Sequence, residues 1–324
     1  MVSFPVPIQD NFTQNLKMSS IWKGVLPALT TKFTADDQLD LSLTKKNLEA
    51  QIAAGIDGII LGGTLGESSV LTNAERETLV RYSIETIGGR IPVVLNIAEG
   101  STRDAIALAK DAQRWGVQGL MVLPPMRYKS DHRETVAFFK AIANATPLPV
   151  MIYNNPVDYK TEVTLDMFEE LIACANITAI KESTRDVSNI TRLKNRFGNR
   201  LRILCGVDTI AMEEMLMGAE GWVGGLVCAF PAETVAIYRL VKAGRIAEAL
   251  AIHRWFLPLL ELDLHAKLVQ YIKLAETKTG IGSEYVRAPR LMLVGSEREA
   301  ILKIIHDSLA ARPALPDYLR AMAV

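Results

Sequence analysis

The chain has 324 residues, of which 49% are hydrophobic and 22% are charged, with 36 basic and 36 acidic side chains. A zero net charge excludes the basic footprint of a general nucleic-acid binder. No apolar run reaches the roughly 18 residues of a membrane span, so no membrane partner is expected. The three cysteines (Cys174, Cys205 and Cys228) are too few for a disulfide framework, and they favour a cytoplasmic location.

Residues 1–20 do not have the pattern of a secretory signal. Pro5, Pro7 and Asp10 stand where a signal peptide has its apolar stretch. We interpret this segment as an N-terminal arm that precedes the regular pattern of the chain.

Eight short apolar runs follow, mostly bounded by Gly, Pro or Asn, which is typical of strands buried on both faces. They are Gly24–Leu29, Gly58–Leu61, Val93–Ile97, Gly119–Leu123, Val150–Tyr153, Ile177–Ile180, Leu201–Leu204 and Trp222–Val227. Helical patterns lie between them, such as Asp104–Trp115, whose apolar residues share one face. Capping boxes are predicted at Thr72 with Glu75 and at Asp131 with Glu134.

This alternation predicts an α/β protein, a (β/α)8 TIM barrel over residues 21–245. An open doubly wound sheet is the alternative, but it would usually carry a glycine-rich loop after its first strand. Residues 246–324 predict a C-terminal helical domain with no ninth strand. Its helices are expected at Ile246–Leu262, Ala266–Lys278 and Glu297–Ala311.

In such a barrel the active site lies at the C-terminal ends of the strands, and Lys181 directly follows the apolar run Ile177–Ile180. Desolvation lowers the pKa of a lysine, and the neutral amine can form a Schiff base with a carbonyl compound. The alternative is a lysine that points to solvent or pairs with Glu182.

Two further positions lie at strand ends. Tyr153 ends the fifth run, where a phenol could relay protons or merely cap the core. Gly63, Thr64 and Leu65 follow the second run, and a glycine-rich turn can bind a carboxylate through its amides or bind nothing. The four histidines are scattered and no cluster has metal-ligand spacing, so no metal site is expected.

Four segments, taken in order, resemble the dihydrodipicolinate synthase and N-acetylneuraminate lyase family of Schiff-base enzymes. They are Gly63-Thr64-Leu65-Gly66-Glu67-Ser68, Tyr153-Asn154-Asn155-Pro156, Ile180-Lys181-Glu182-Ser183 and Gly206-Val207-Asp208. The resemblance runs from about residue 21 to residue 313. It implies a TIM barrel with a C-terminal helical domain, no cofactor, and a homo-oligomer built as a dimer of dimers. The aromatic residues of the C-terminal helices (Trp255, Phe256 and Tyr271) are expected to support that assembly.

The resemblance also implies roles for individual residues. Lys181 would form the imine with a 2-oxo acid, and Tyr153 would move protons. Substrate binding is assigned to Gly63, Thr64, Leu65 and, at the end of the eighth strand, Leu226 and Val227.

Three positions depart from a true dihydrodipicolinate synthase. Leu65 replaces a second threonine, Met126 stands near the place of a relay tyrosine, and Asp158 replaces an arginine that binds the second substrate's carboxylate. Removing one partner of such a buried charge pair typically costs about 3–5 kcal/mol. Arg127, Tyr128 and Lys160 are the candidates to compensate.

We therefore expect a lyase, dehydratase or deaminase that acts on one small 2-oxo or cyclic 2-imino acid. The stretches 124–129, 153–159 and 267–276 resemble a branch associated with hydroxyproline breakdown, so the most specific hypothesis is a 1-pyrroline-4-hydroxy-2-carboxylate deaminase. The alternatives are a genuine dihydrodipicolinate synthase (4-hydroxy-tetrahydrodipicolinate synthase), a 2-keto-3-deoxy sugar acid aldolase, and a catalytically silent ligand-binding homologue.

Overall fold

A computed structural model of the chain describes residues 21–125 and 128–320. The expected N-terminal arm, residues 1–20, therefore lies outside the described residues. So do Met126, which stands near the place of the relay tyrosine, and Arg127, one of the candidates to compensate.

Eight parallel strands form one sheet, in the order β1-β8-β7-β6-β5-β4-β3-β2. Their bounds are β1 Gly24–Pro27, β2 Ile59–Leu61, β3 Val93–Ile97, β4 Gly119–Val122, β5 Val150–Asn154, β6 Ile177–Glu182, β7 Arg202–Cys205 and β8 Gly221–Gly224. Between β1 and β2 the sheet closes through a parallel bridge from Ala28 to Ile60 and a 2.9 Å hydrogen bond from Leu29 N–H to the Ile60 carbonyl. The predicted TIM barrel is confirmed.

Helices follow the strands around the outside of the barrel. They are α1 Leu41–Ala53, α2 Asn73–Ile87, α3 Thr102–Trp115, α4 His132–Asn144, α5 Pro156–Tyr159, α6 Leu165–Leu171, α7 Ser188–Phe197, α8 Ala211–Leu216 and α9 Pro231–Lys242. Both predicted capping boxes are present, at Thr72 with Glu75 and at Asp131 with Glu134. These polar caps satisfy amide groups that the first helical turn leaves without partners.

The strands differ from their predicted bounds at the mouth of the barrel. β5 and β6 extend beyond their apolar runs, because Tyr153 pairs with Lys181 and Asn154 pairs with Glu182 in the parallel ladder. The backbone thus continues to pair where the side chains become polar. β8 instead ends early, at Gly224, because the buried Asp208 carboxylate accepts the next two amides, those of Gly225 and Leu226.

The opposite end of the barrel is filled by Trp22, which is fully buried. Its indole N–H donates to Thr178 Oγ1 at 2.8 Å, near the start of β6. Gly119 opens β4 beside it, and a Cβ there would come within 2.7 Å of the indole ring. Trp22 therefore closes the floor, and the C-terminal ends of the strands are left as the open end.

After α9 the chain continues as α10 Ile246–Leu260, a 3-10 helix Glu261–Leu264, α11 Leu268–Thr279 and α12 Gly295–Ala310. The predicted helices after the last strand are present. The domain boundary at residue 245 itself stays a prediction.

Two buried ion pairs join α11 to the barrel loops: Lys273 Nζ lies 2.6 Å from Glu67 Oε1, and Lys32 Nζ lies 2.7 Å from Glu276 Oε1. Within the described ranges, no helix is both long and apolar enough to cross a membrane.

Candidate active site

A cavity of about 80 Å³ lies at the C-terminal ends of the strands. Since a cavity of about 10–15 Å³ suffices for one buried water, this cavity has room for a small organic acid. Its wall includes Lys181, Tyr153 and Thr64 from the barrel strands and turns. It also includes Tyr159, Arg185 and Asp263, which the sequence analysis did not single out.

Lys181 points into this cavity and is only 6% exposed. Its Nζ lies 4.1 Å from the centre of the Tyr153 ring, and no carboxylate of the described residues forms an ion pair with it. Burial lowers the pKa of Lys181, although Tyr159 and the nearby carboxyl groups oppose the change. The amine is therefore easier to deprotonate than a lysine in water, as attack on a carbonyl requires.

Gly206, which follows β7, makes room for this lysine. A Cβ at Gly206 would lie 2.7 Å from Lys181 Cε and 2.0 Å from Ser183 Oγ. Any larger residue at Gly206, in the segment Gly206-Val207-Asp208, would overlap the Lys181 side chain as it projects into the cavity.

Glu182 does not pair with Lys181, because neighbouring residues of a strand point to opposite faces. The Glu182 carboxylate accepts hydrogen bonds from the Thr184 amide at 2.8 Å and from Asn189 Nδ2 at 3.0 Å, outside the barrel. The alternative of a Lys181–Glu182 pair is wrong.

Tyr153 is next to Lys181 in the ladder, so both side chains project into the same cavity. Its hydroxyl accepts a hydrogen bond from Asn155 Nδ2 at 3.1 Å. Burial raises the pKa of Tyr153 to about 12. At neutral pH the phenol is therefore protonated and positioned to donate a proton.

The turn Gly63-Thr64-Leu65 lies against the same cavity. Thr64 and Leu65 donate no backbone hydrogen bond to any described residue, so both amides are available to a ligand. A Cβ on Gly63 would meet nothing within 4 Å. The turn thus has the free donors that carboxylate binding requires.

Tyr159 supplies a second phenol to the site. Its hydroxyl lies 2.7 Å from Thr64 Oγ1, and its ring packs edge-on against Tyr153 at 5.5 Å between centroids. Helix α5 places it there, with Asn155 as the N-cap and Pro156 in the first turn. Sequence reasoning missed Tyr159 because a helix of four residues is too short to show a periodic pattern.

Asp158 is at the cavity as well, and it has a cation near it. Arg185 Nη2 lies 3.8 Å from Asp158 Oδ1 and also lines the cavity. Arg185 has a positive φ of 64° in the loop after β6, a conformation that side-chain-bearing residues rarely adopt. The site therefore contains a guanidinium, although not at the position where the resemblance places it. Tyr128 and Lys160, the other candidates, do not line the cavity.

Leu226 and Val227 differ from their expected place. They form a buried 3-10 turn, Leu226–Cys228, beyond the end of β8. The cavity wall on that side is formed by Val223, Gly224 and Gly225. The reason is the Asp208 carboxylate, which turns the chain away from the cavity directly after β8.

The four histidines lie outside the cavity wall. His132 contacts Glu170 at the surface, with 2.6 Å between Nε2 and Oε1. Within residues 21–125 and 128–320, no three His, Cys, Asp or Glu side chains group together to hold a metal ion.

Comparison with known proteins decides the family. The model of the Dihydrodipicolinate synthetase family matches residues 21–308. The chain belongs to this family. It is accordingly an enzyme, a Schiff-base lyase of the class I aldolase type.

Individual relatives agree. The 4-hydroxy-tetrahydrodipicolinate synthase of Exiguobacterium sibiricum is 33% identical over 85% of this chain and 92% of its own length. The synthase of Sorangium cellulosum is 32% identical over 90% of this chain and 97% of its own length.

Solved structures of the family superpose closely. The synthase from Methylacidiphilum fumariolicum SolV gives a TM-score of 0.83 at 29% identity, covering 89% of this chain and 97% of its own. The synthase from Bacillus anthracis gives 0.84 at 28% identity, covering 88% and 98%. These names agree with the alternative of a genuine synthase and give no support to the more specific deaminase hypothesis.

Proposed function

We propose that this enzyme captures a small 2-oxo or 2-imino acid as a Schiff base on Lys181. The observation that carries the proposal is the placement of Lys181 Nζ. It is buried at the barrel mouth, 4.1 Å from the Tyr153 ring, without an ion pair to any described residue. A lysine in that environment is a nucleophile rather than a surface charge.

The neighbouring groups suit the steps that follow. The amides of Thr64 and Leu65 hold the substrate carboxylate, which directs C2 towards Lys181. The amine adds to C2 and water or an amine leaves, so that an iminium forms. Tyr153 gives its proton to the group that leaves C2. The iminium makes the hydrogens on C3 acidic, and the Tyr153 phenolate then takes a C3 proton. Tyr159 lies between Tyr153 and the carboxylate-binding turn. Its ring packs against Tyr153, and its hydroxyl is 2.7 Å from Thr64 Oγ1.

The first candidate reaction is the condensation that the relatives' names describe, 4-hydroxy-tetrahydrodipicolinate synthesis. Arg185 supports it, because its guanidinium lines the cavity and provides a cation for a second carboxylate. An assay with pyruvate and aspartate semialdehyde tests it directly. Absence of condensation rules this reaction out.

The second candidate is loss of water from a single 4-hydroxylated substrate, with 1-pyrroline-4-hydroxy-2-carboxylate deamination as the specific case. The carboxyl groups of Asp158 and Asp263 in the cavity support it, because they suit a hydroxylated substrate better than a second substrate that brings its own carboxylate. Release of ammonia from that imine tests it. A 2-keto-3-deoxy sugar acid aldolase would instead release pyruvate from its substrate.

The covalent step is tested by treating the protein with pyruvate and borohydride and digesting it. We expect the reduced adduct on the peptide that contains Lys181. Lys181→Ala should abolish both adduct and turnover, whereas Lys110→Ala, an exposed lysine on α3, should change neither. If no 2-oxo acid gives an adduct, the proposal is overturned. Turnover that depends on Lys181 excludes the silent ligand-binding alternative.

A homo-oligomeric assembly and a cytoplasmic location belong to the same proposal and rest on the family.

A further inference from the structure

Asp263 reaches the active site from outside the barrel. It lies in the 3-10 helix Glu261–Leu264, between α10 and α11, and its side chain lines the cavity that contains Lys181 and Tyr153. The C-terminal segment therefore contributes a reactive group to the site as well as covering it. Neither the strand-end rule nor the family segments pointed to this residue.

The Asp263 carboxyl occupies the space that Gly225 leaves by having no side chain. A Cβ built on Gly225 would lie 2.4 Å from Asp263 Oδ1, so the carboxyl packs against bare backbone just after β8. The φ of Gly225 is −96°, which any residue can adopt. The absence of a side chain there is thus explained by the approach of Asp263 rather than by backbone conformation.

No polar contact within the described residues accounts for the Asp263 carboxyl. It makes no hydrogen bond and no ion pair with any residue in the described ranges. Burial and the charges of Asp208 and Asp158 raise the pKa of Asp263 well above its usual range, against the opposing effect of Lys181 and Arg185. A carboxyl that faces a substrate cavity and holds its proton more tightly than usual is suited to act as a general acid.

We propose that Asp263 is a catalytic acid that protonates the oxygen on C4 of the substrate. The inference rests on the proposed Schiff-base function, since C4 is counted from the substrate carboxylate and C2 is bound to Lys181. The substrate class that it implies is either a 2-oxo or 2-imino acid with a hydroxyl on C4, or a 2-oxo acid paired with an aldehyde whose carbon becomes C4. Both candidate reactions involve an oxygen on C4.

The step balances in each reaction. In loss of water, the Tyr153 phenolate, formed when that phenol protonates the group leaving C2, takes the C3 proton. The electron pair of the C3–H bond forms the C3–C4 double bond, the C4–O bond breaks, and the Asp263 proton completes the departing water. In condensation, the enamine C3 bonds to the aldehyde carbon, which becomes C4, and the carbonyl oxygen takes the Asp263 proton. Solvent then returns a proton to Asp263.

The test is Asp263→Asn, which preserves shape but cannot donate an acidic proton. Its matched control is Glu261→Gln, an exposed carboxyl of the same 3-10 helix. With Asp263→Asn we expect the borohydride adduct of pyruvate on Lys181 to persist. We expect kcat to fall at least about 100-fold on whichever candidate substrate the wild type converts, in the range that general acids contribute. Glu261→Gln should behave as wild type.

Gly225→Ala provides an independent variant, because the new methyl group displaces the Asp263 carboxyl while leaving it in the protein. It should reproduce the kcat loss with the adduct retained. Full turnover in Asp263→Asn overturns the proposal. So does an equal loss of adduct and turnover, which would make Asp263 a positioning residue for Lys181.

Failure of the underlying function has a different signature. A wild-type protein that forms no adduct overturns the Schiff-base proposal itself. A wild-type protein that forms the adduct but catalyses neither the condensation nor the loss of water overturns only the role of Asp263.

Discussion

At the scale of single residues, the position of the Lys181 amine depends on the lack of a side chain at Gly206. Lys181 extends through space that Gly206 leaves open, with 2.7 Å between Lys181 Cε and a Cβ built on Gly206. Well-packed interiors tolerate such an overlap poorly, typically at about 1–3 kcal/mol.

We therefore predict that Gly206→Ala moves the lysine out of reach of its substrate. The amount of borohydride adduct with pyruvate should fall at least about tenfold, while the circular dichroism spectrum stays that of a folded barrel. Undiminished adduct formation would show that Lys181 has another route into the cavity.

A second residue, Glu214 on α8, is buried with neither carboxyl oxygen bonded to a described residue. Burial, together with the charge of Glu182, raises the pKa of Glu214 to about 9. The folded protein thus holds a proton that the unfolded chain, with a pKa near 4.5, releases. Stability therefore falls as pH rises from about 4.5 to about 9, at up to about 1.4 kcal/mol per pH unit.

Glu214→Gln should remove this pH dependence. Between pH 5 and pH 7 we expect the free energy of unfolding of the wild type to decrease by up to about 2–3 kcal/mol more than that of the variant, measured by urea titration. Glu213→Gln, the exposed neighbour, is the control and should follow the wild type. Parallel pH curves for Glu214→Gln and wild type would refute the assignment.

The barrel rule located residues that the cavity brings together, whereas their chemical roles stay predictions. Lys181 and Tyr153 were found because strand ends meet at one face of the barrel. Tyr159, Arg185 and Asp263 were missed because each is placed by a loop or a short helix. Their positions depend on particular contacts, such as the Asn155 cap and the gap at Gly225, that no periodicity encodes.

At the scale of elements, the strands were located but their ends were not. β6 continues two residues past its apolar run, and β8 stops three residues before the end of its run. Hydrophobicity indicates where a strand is buried, but backbone pairing decides where it ends. That pairing is set by the neighbouring strand for β6 and by the Asp208 carboxylate for β8.

Helix α11 is fixed to the barrel by charges rather than by apolar packing alone. Lys273 and Glu67 are both fully buried, and Lys273 Nζ also donates to the Tyr285 carbonyl at 2.6 Å. Removal of one partner of such a pair leaves an uncompensated charge in the interior, which typically costs about 3–5 kcal/mol.

Lys273→Met is therefore expected to lower the free energy of unfolding by about 3–5 kcal/mol in urea titration. The double variant Lys273→Met with Glu67→Gln should recover part of the loss, because the stranded carboxylate is gone. Lys278→Met, on an exposed face of the same helix, should have little effect. If the double variant is less stable than Lys273→Met, the charge argument is wrong.

At the scale of the whole molecule, the closed barrel follows from the count of eight strand–helix units. The argument for assembly from the aromatic C-terminal helices was weaker. Phe256 packs on Phe230 inside the chain, and Tyr271 is buried too, so these rings are core residues. Three of the exposed apolar side chains, Leu291, Met292 and Val294, lie close together in the chain between α11 and α12.

We expect the protein to sediment as a homo-oligomer, with about four times the chain mass for a dimer of dimers. Exposed apolar side chains in one short stretch are a common mark of a protein contact surface. Sedimentation velocity at micromolar concentration measures the mass. A single monomeric species would contradict the expectation.

The packing of Asp263 against Gly225 bears on how new activities can evolve on this fold. The amine belongs to a strand, whereas the acid arrives on a segment that follows the barrel in the chain. Exchanging residues 246–320 with those of a relative would replace the acid at position 263. The Lys181 amine would stay in its strand. New reactions can thus arise through changes to the C-terminal helical segment, while the barrel strands stay unchanged.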